Sequence, residues 1–299
     1  MHVQVNVPYS PKPVIRSRPA KIQVRALSKS YGGRTVLDGV DLSIEDGEFV
    51  VLIGPSGGGK TTLLKLLNKL IAPDAGEIFL DGRPIASTPG TQLRRGIGYV
   101  IQGGGLFPHM TVAENIGVMM KVAGASKADV RKRVGDMLDM VDLDRALADH
   151  YPCQLSGGQQ QRVDIARAFA TDPSLILMDE PFSALDPLTR QDLQDQIVRL
   201  HRESGKTIVF VTHDMDEAVK LADSICVIQD GRIAQFDTPE RILAAPVSDF
   251  VRRFIGHARQ LSDTLARGGV GEEVGSPLDD PSDAQVPAAA PVAKEADRA

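Results

Sequence analysis

The 299-residue chain is poor in the features that mark membrane-spanning and disulfide-linked proteins. It has no tryptophan, and no stretch approaches the roughly 18 consecutive apolar residues of a membrane-spanning helix. Its two cysteines, Cys153 and Cys226, form no metal or disulfide pattern, and a reducing cytoplasm fits them best. With 42% hydrophobic and 24% charged residues, the composition predicts an ordinary globular chain with one large domain or two small ones.

Charge is distributed unevenly along the chain. The net charge is −5, but residues 271–299 hold seven acids and two bases, so the rest of the chain is electrically balanced. We therefore expect no nucleic-acid partner. Residues 1–20 contain four prolines and no continuous apolar segment, which predicts a disordered leader and not a signal peptide. The acidic, Pro/Ala-rich residues 257–299 predict a disordered tail.

The most informative segment is a glycine-rich loop that matches the phosphate-binding pattern G-x-x-x-x-G-K-[ST] in full. A short apolar run at 48–53 predicts a buried strand before it, and apolar residues at helical spacing in 62–70 predict a helix after it. In that context backbone N–H groups turn toward phosphates, Lys60 supplies charge and Thr61 supplies a hydroxyl for Mg²⁺. The alternative is a chance glycine turn before a core helix. The predicted ATP-binding residues of this loop are Gly54, Pro55, Ser56, Gly57, Gly58, Gly59, Lys60, Thr61 and Thr62.

Two adjacent acids, Asp179 and Glu180, follow the apolar run 175–178. An acid at the end of a buried strand beside a phosphate loop is expected to hold Mg²⁺, usually through water. Successive strand side chains diverge, so Glu180 would be free to polarise a water for in-line attack on the γ-phosphate. The alternative is a surface acid pair that ends a core strand.

The segment Leu155-Ser-Gly-Gly-Gln159 precedes a helix predicted over 160–170. A helix N-terminus carries unpaired N–H groups and the positive end of the helix dipole, so this segment is a candidate second anion site. A serine N-cap followed by flexible glycines is the plainer interpretation.

Periodicity predicts short strands between residues 22 and 101, helices in 111–150, and alternating strands and helices from 174 to 229. Three Asp-Gly pairs, at 46–47, 81–82 and 230–231, predict hairpin turns. Thr111-Val-Ala-Glu114 and Ser126-Lys-Ala-Asp129 predict two capping boxes at helix starts, the second with Asp in place of the usual Glu or Gln. The pattern predicts one parallel α/β core interrupted by a helical insertion.

Leu155-Ser-Gly-Gly-Gln159 is identical to the signature motif of ABC-type ATPases, and the other motifs occur in the order of that family. Residues from about 22 to 255 therefore resemble an ABC-type cassette. The resemblance implies an α/β P-loop NTPase fold with a mostly parallel core sheet, an antiparallel β subdomain and a helical subdomain. It places the ATP-binding domain at 21–256 and the helical subdomain at about 106–170.

The resemblance also assigns roles to single residues. Tyr31 would stack on adenine, Gln102 would be the lid glutamine, and His213, which follows the apolar strand 207–211, would contact the γ-phosphate. Ser183-Ala-Leu-Asp186 resembles the loop that crosses the interface of a head-to-tail homodimer. The residues expected to close over the partner's ATP are Ser156, Gly157, Gly158, Gln159 and Asp186. The expected catalytic residues are Lys60, Gln102, Glu180 and His213, and the expected magnesium-site residues are Thr61, Gln102 and Asp179.

A narrower resemblance links the chain to importers of osmoprotectants such as glycine betaine and choline. It rests on residues 99–102, 106–111, 156–162 and 212–218. It implies a peripheral ATPase on the cytoplasmic face of the inner membrane, with membrane-spanning permease subunits and an extracytoplasmic substrate-binding protein as partners. The alternatives are the ATPase of another importer, for polyamines or methionine, and a soluble ABC-type ATPase of translation or DNA repair.

Three features depart from that family's pattern. Gly58 stands where the family commonly has serine, and the run Gly103-Gly-Gly105 after Gln102 is more flexible than usual. Family members often carry a C-terminal pair of regulatory CBS domains, and this sequence ends instead in the acidic segment. Sensing of ionic strength through such domains is therefore not expected.

Overall fold

The computed structural model describes residues 19–183 and 185–256. The predicted tail, 257–299, and nearly all of the predicted leader lie outside the described residues. Only Pro19 and Ala20 of the leader are described, and Ala20 begins the first strand.

Within the described residues the strands form two sheets. The first is antiparallel and has the order β2-β1-β4-β5. Its strands are β1 (Ala20–Tyr31), β2 (Arg34–Glu45), β4 (Ala75–Leu80) and β5 (Arg83–Pro84). It corresponds to the antiparallel subdomain that the resemblance implied.

The second sheet has six strands in the order β10-β9-β3-β8-β7-β6 and is parallel except for the pair of β9 and β10. Its strands are β3 (Phe49–Ile53), β6 (Ile97–Val100), β7 (Leu175–Asp179), β8 (Thr207–Val211), β9 (Ser224–Gln229) and β10 (Arg232–Asp237). The mostly parallel core sheet that the sequence predicted is therefore confirmed.

Eight helices connect or cover these strands in the described residues, and a further helical segment occupies 249–256. They are α1 (Lys60–Leu67), α2 (Gly90–Arg95), α3 (Val112–Val122), α4 (Lys127–Met140), α5 (Gly157–Ala170), α6 (Pro187–Ser204), α7 (Met215–Leu221) and α8 (Pro239–Ala244). Short 3-10 turns lie at Ile85–Ser87, Arg145–Asp149 and Pro152–Gln154. None of the described helices combines the length and apolar character needed to cross a membrane.

The parallel sheet is buried on both faces, which explains the continuous apolar runs of its central strands. All five residues of β3 are buried. Val51 and Ile53 belong to the apolar cluster that includes residues of α3, α4 and α5. Val50 and Leu52 belong to the second cluster, which includes residues of α1 and of the antiparallel sheet. The period-2 alternation of a strand thus divides the core into two layers around β3.

Two of the three predicted Asp-Gly hairpins are confirmed. The pair at 81–82 joins β4 to β5, and the pair at 230–231 joins β9 to β10, both antiparallel neighbours. The prediction at Asp46-Gly47 was wrong, because this turn leads from β2 in one sheet to β3 in the other. Tertiary contacts hold it instead, since the Gly47 N–H donates to the Thr207 hydroxyl of β8 at 2.8 Å.

The helical insertion begins with the predicted capping box. Thr111 Oγ1 accepts from the N–H of Glu114 at 3.2 Å, and the Glu114 carboxylate accepts from the N–H of Thr111 at 3.0 Å. The second box is only half formed. Ser126 accepts from the N–H of Asp129 at 3.1 Å, but the shorter Asp129 carboxylate accepts from the Ser126 hydroxyl and not from its backbone N–H. The predicted apolar face of α4 is buried, namely Val130, Val134, Met137, Leu138 and the following Val141.

Candidate functional site

The candidate site lies at the carboxyl ends of β3, β7 and β8, where parallel α/β sheets commonly bind ligands. The phosphate loop follows β3 and leads into α1. Backbone hydrogen bonds continue past the strands here: the N–H of Glu180 donates to Val211 O at 3.0 Å, and the N–H of Thr212 donates to Leu52 O at 3.2 Å. Side chains that follow three separate strands are thus brought to one edge of the sheet.

Lys60 is buried inside the phosphate loop, with 6% of its surface exposed. Its Nζ donates to the carbonyl oxygens of Gly54 at 2.8 Å and Pro55 at 3.0 Å. Burial lowers the pKa of the Lys60 ammonium, although Glu180 and Asp179 nearby favour its charged form. A bound phosphate group would offer the ammonium an anionic acceptor in place of the two neutral carbonyls.

Gly58, the departure noted in the sequence, tightens the same loop. Its N–H donates to Pro55 O at 3.1 Å, and a Cβ added at Gly58 would lie 3.1 Å from that oxygen. A serine here would therefore require a small shift of the loop, whereas the glycine keeps its backbone donor without that adjustment.

Thr61 and Asp179 meet directly: the Thr61 hydroxyl donates to Asp179 Oδ1 at 2.9 Å. Asp179 ends β7 and is 3% exposed. Burial raises the pKa of the Asp179 carboxyl, and the hydrogen bond from Thr61 partly opposes that rise. A hydroxyl and a carboxylate side by side are hard oxygen donors, the type that Mg²⁺ prefers.

Two of the other predicted catalytic residues, Gln102 and His213, contact Glu180. Gln102 Nε2 donates to Glu180 Oε2 at 3.3 Å, and His213 Nδ1 lies 3.3 Å from the same oxygen. Because Gln102 uses its amide nitrogen, its amide oxygen is left for another partner. Glu180 has φ +43, a left-handed conformation that costs a non-glycine residue about 1–3 kcal/mol and tends to occur at functional sites. The two adjacent acids therefore have different partners: Asp179 contacts Thr61, whereas Glu180 contacts Gln102 and His213.

A cavity of about 350 Å³ borders the phosphate loop. It is lined by Tyr31, Arg34, Val36, Ser56, Gly57, Gly58, Gly59, Lys60, Thr61, Thr62 and Glu180. Tyr31 is 49% exposed, and Lys29 Nζ lies 5.4 Å from the centre of its ring. Sequence reasoning missed Arg34 and Val36. Arg34 is the register partner of Tyr31 across the β1–β2 hairpin, and Val36 follows two residues later on the same face, so strand alternation could have found both.

The signature segment forms a capping box at the start of α5. Ser156 Oγ accepts from the N–H of Gln159 at 3.2 Å, and Gln159 Oε1 accepts from the N–H of Ser156 at 2.9 Å. The helix begins at Gly157, three residues earlier than predicted, because this box places both glycines in the first turn. The plainer interpretation, a serine N-cap, therefore describes the local structure.

The signature segment lies beside the loop that carries Asp186. A Cβ added at Gly158 would lie 2.7 Å from Thr189 Cγ2. Asp186 caps α6 by accepting from the N–H of Thr189 at 3.1 Å, and its hydrogen bonds with Thr189 lower its pKa. Among the described residues that line the 350 Å³ cavity, none belongs to 156–159 or is Asp186. Both segments therefore lie outside the cavity that borders the phosphate loop of their own chain.

Glu180 and His213 also line a smaller cavity, of about 40 Å³. Glu217 lines it, and this buried carboxylate accepts from the Thr212 hydroxyl at 2.6 Å. Thr212 Oγ1 in turn accepts from the N–H of Asp214 at 3.0 Å, so Glu217 fixes the backbone on both sides of His213. Burial raises the pKa of the Glu217 carboxyl. Sequence reasoning missed Glu217. The signal that could have identified it is its position in a short helix among Met215, Ala218 and Leu221, which are buried.

Comparison with known proteins agrees with this geometry. Residues 37–183 match the family model described as "ABC transporter". The chain is 51% identical over 234 residues to a carnitine transport ATP-binding protein of Listeria monocytogenes, covering 78% of this chain and 59% of the relative. It is 50% identical over 239 residues to a glycine betaine/carnitine/choline transport ATP-binding protein of Bacillus subtilis, covering 80% and 63%. The matched region thus spans about three fifths of the length of these relatives.

Other relatives are covered more fully. The glycine betaine uptake system ATP-binding protein YehX of Escherichia coli is 46% identical over 79% of this chain and 77% of its own length. Among solved structures, the ATP-binding cassette MJ0796, described as a dimer bound to ADP and Pi, shares 37% identity with a TM-score of 0.67, covering 73% of this chain and 98% of its own. A cassette of Clostridium perfringens shares 28% identity with a TM-score of 0.70 over 83% and 99%. This chain therefore belongs to the ABC transporter family and is one of its ATP-binding cassettes.

Proposed function

We propose that this chain is the ATP-hydrolysing subunit of an importer for quaternary amine osmoprotectants. The observation that carries the proposal is the convergence of Gln102 and His213 on one oxygen of Glu180, beside a phosphate loop that holds Lys60. The names of the relatives, which mention carnitine, choline and glycine betaine, support the class of cargo.

ATP would occupy the cavity beside the phosphate loop. Its phosphates would contact the backbone N–H groups of 56–62 and the Lys60 ammonium, and its base would lie against exposed Tyr31. Arg34 and Val36 line the same cavity and would contribute further contacts. The remaining predicted loop residues, Gly54 and Pro55, would act through the carbonyl oxygens that hold Lys60 before nucleotide binds.

Thr61, Asp179 and the free amide oxygen of Gln102 would hold Mg²⁺. This donor set fits the ion, because Mg²⁺ takes hard oxygen ligands and usually binds through one or two carboxylates together with substrate phosphates. When bound, Mg²⁺ neutralises negative charge on the phosphate oxygens.

Glu180 would act as the general base. Its carboxylate would accept a proton from the attacking water, and the contacts from Gln102 and His213 would hold the carboxylate in place while it does so. Glu217, through Thr212, would keep the His213 backbone fixed. The expected catalytic set is therefore Lys60, Gln102, Glu180 and His213, with Glu217 as a positioning residue.

Two copies of the chain would pack head to tail, each covering the other's ATP with Ser156, Gly157, Gly158, Gln159 and Asp186. The separation of these residues from the cavity of their own chain supports that arrangement. The dimeric cassettes among the solved relatives support it too. As the relatives are subunits of uptake systems, the pair would sit on the cytoplasmic face of the inner membrane. It would be attached to permease subunits and supplied by an extracytoplasmic substrate-binding protein.

The test is uptake by membrane vesicles that contain this chain together with the permease and substrate-binding subunits of its importer. We expect uptake of labelled choline or glycine betaine that needs ATP and is lost with Glu180→Gln. Sulfate is the control cargo, since sulfate/thiosulfate import proteins of Caulobacter vibrioides and Rhizobium meliloti are 43% and 45% identical to this chain. Uptake of sulfate but not of the amines would refute the proposed cargo and leave the proposed ATPase activity standing. Absence of ATP hydrolysis would refute both proposals.

A further inference from the structure

The three glycines after Gln102 differ in their surroundings. Gly103 and Gly104 have φ +79 and +83, and a Cβ added to either would meet nothing within 4 Å. Gly105 is tightly packed, because an added Cβ would lie 2.8 Å from Arg167 Nη2. The run therefore consists of two open residues in the left-handed region, which favours glycine, followed by one residue held against α5.

Arg167 of α5 contacts residues 105–107, the stretch that follows the open glycines, at two points. Its guanidinium donates to the carbonyl oxygen of Gly105 through Nη1 and lies with Cζ 5.9 Å from the centre of the Phe107 ring. The other arm of the fork, Nη2, donates to Asp164 Oδ1 one turn earlier on the same helix. One side chain thus joins α5 to the chain one and three residues beyond the open glycines.

Asp164 is a buried acid whose carboxylate is only partly hydrogen-bonded. It is 1% exposed, and its Oδ2 has no hydrogen-bond partner among the described residues. Burial raises the pKa of this carboxyl to about 6, so it is mostly ionised at neutral pH and still incompletely satisfied. Buried ion pairs are often no more stable than apolar replacements, and their best-supported role is to fix one geometry. The geometry fixed here is the orientation of the Arg167 guanidinium.

Asn115 of α3 secures the other side of the segment. This fully buried side chain accepts from the N–H of Phe107 at 2.7 Å and donates to Phe107 O at 3.1 Å. It also donates to the carbonyl oxygens of Met110 and Thr111. The stretch after Gly105 is therefore anchored to two helices, and the open glycines connect it to Gln102.

We infer that Arg167, oriented by Asp164, is a positioning residue that ties the chain after Gln102 to α5. The same helix begins at Ser156, so one rigid element would carry both the segment proposed to cover the partner's ATP and the tether of Gln102. A shift of α5 would then move Gln102 relative to Glu180. The tether itself stands on the contacts of Arg167, and only its effect on hydrolysis rests on the proposed function.

The tether is tested by hydrogen exchange on the full-length protein with Arg167→Met, which keeps an unbranched side chain and removes the guanidinium. The matched control is Arg133→Met, because Arg133 of α4 donates to Phe169 O and Ala170 O in the same last turn of α5 that carries Arg167, but to none of the described residues 102–107. We expect amides of 102–107 to exchange about tenfold faster in Arg167→Met and at the wild-type rate in the control. Unchanged exchange at 102–107, or equal acceleration in the control, would overturn the tether.

A double variant tests whether Asp164 acts through Arg167. Asp164→Asn should also accelerate exchange at 102–107, and combining it with Arg167→Met should add nothing beyond Arg167→Met alone. Additive effects of the two substitutions would contradict the inferred dependence.

Hydrolysis supplies an independent readout. In Arg167→Met the kcat should fall about tenfold while KM for ATP stays within about twofold, because 103–107 do not line the nucleotide cavity. A rise in KM with unchanged kcat would contradict the assigned role. If the wild-type chain does not hydrolyse ATP, the proposed function fails, and the exchange experiment still decides the tether.

Discussion

Gln102 and Glu180 are 78 positions apart, and the amide nitrogen of the first donates to Oε2 of the second at 3.3 Å. The contact follows from the sheet, because β6 and β7 are parallel neighbours and their carboxyl ends meet at one edge. β8 lies on the other side of β7 and brings His213 to the same oxygen. The candidate base is therefore held from both neighbouring strands.

Replacing Glu180 with glutamine should remove hydrolysis and leave ATP binding intact. Glutamine keeps the shape and can still contact Gln102, but it cannot accept the proton of the attacking water. We expect turnover to fall by about a hundredfold or more. Size-exclusion chromatography with ATP should show a dimer that accumulates because its nucleotide is not cleaved. Turnover within about twofold of wild type would remove Glu180 from the mechanism.

Lys60→Ala should weaken ATP binding and hydrolysis together, since the ammonium is the charged group inside the phosphate loop. Nucleotide titration by calorimetry measures the first effect. The substitution also leaves two loop carbonyls without their donor, so a loss of stability of about 1–3 kcal/mol is expected in the absence of nucleotide. Lys121→Ala, an exposed lysine of α3, is the control for the loss of one charge. Wild-type affinity in Lys60→Ala would contradict the assignment.

The sequence was sufficient where one pattern determines one element. The apolar runs of β3, β7 and β8 predicted buried strands because both faces of a parallel sheet are covered. Thr111 and Glu114 predicted the start of α3 because a capping box is a local structure. The order of the motifs then predicted which side chains belong to the candidate site.

The sequence was insufficient where a role depends on tertiary contacts. Asp46-Gly47 has the sequence of a hairpin turn, but β3 pairs with β8 and β9, so β2 cannot pair with β3. Glu217 and Asp164 are acids on helices, and only packing shows that they are buried. The contact of Arg167 with Gly105 joins residues 62 positions apart and has no local signature.

A mixed dimer tests whether each site is shared between two chains. One subunit would carry Lys60→Ala and the other Ser156→Ala. In a head-to-tail pair one site collects both substitutions and the other keeps both native residues, so ATP hydrolysis in the mixed dimer should exceed that of either homodimer. If the mixed dimer hydrolyses ATP no faster than the homodimers, the two sites are not shared sites that work independently of each other.

The serine substitution needs its own control, because Ser156 also caps α5, and loss of a cap costs about 1 kcal/mol. Ser126→Ala removes the equivalent cap of α4, where the hydroxyl accepts from the N–H of Asp129 at 3.1 Å. We expect Ser126→Ala to lower the melting temperature to a similar extent while hydrolysis is retained. Equal loss of hydrolysis in both variants would show that destabilisation explains the Ser156 result.

Asp164→Asn should change stability in a way that depends on pH. The pKa of Asp164 is raised from 3.8 to about 6, so the folded state favours the protonated form. Its stabilising contribution is present below pH 3.8 and is lost as the pH rises through about 6. Above that pH the folded chain holds a buried, incompletely bonded carboxylate, which asparagine replaces with a neutral group of the same shape.

The stability of Asp164→Asn relative to wild type should therefore increase between pH 4 and pH 7.5, by up to about 3 kcal/mol. Urea unfolding of both proteins across this range measures the difference, in which the other ionisable groups cancel. Asp139→Asn is a control of opposite sign, because the exposed Asp139 pairs with Arg145 and its pKa is lowered. That variant should lose stability relative to wild type as the pH rises. If the difference for Asp164→Asn is independent of pH, the carboxyl does not titrate in this range. A stabilised fold with faster exchange at 102–107 would instead show that Asp164 is retained for the position of Arg167 and not for stability.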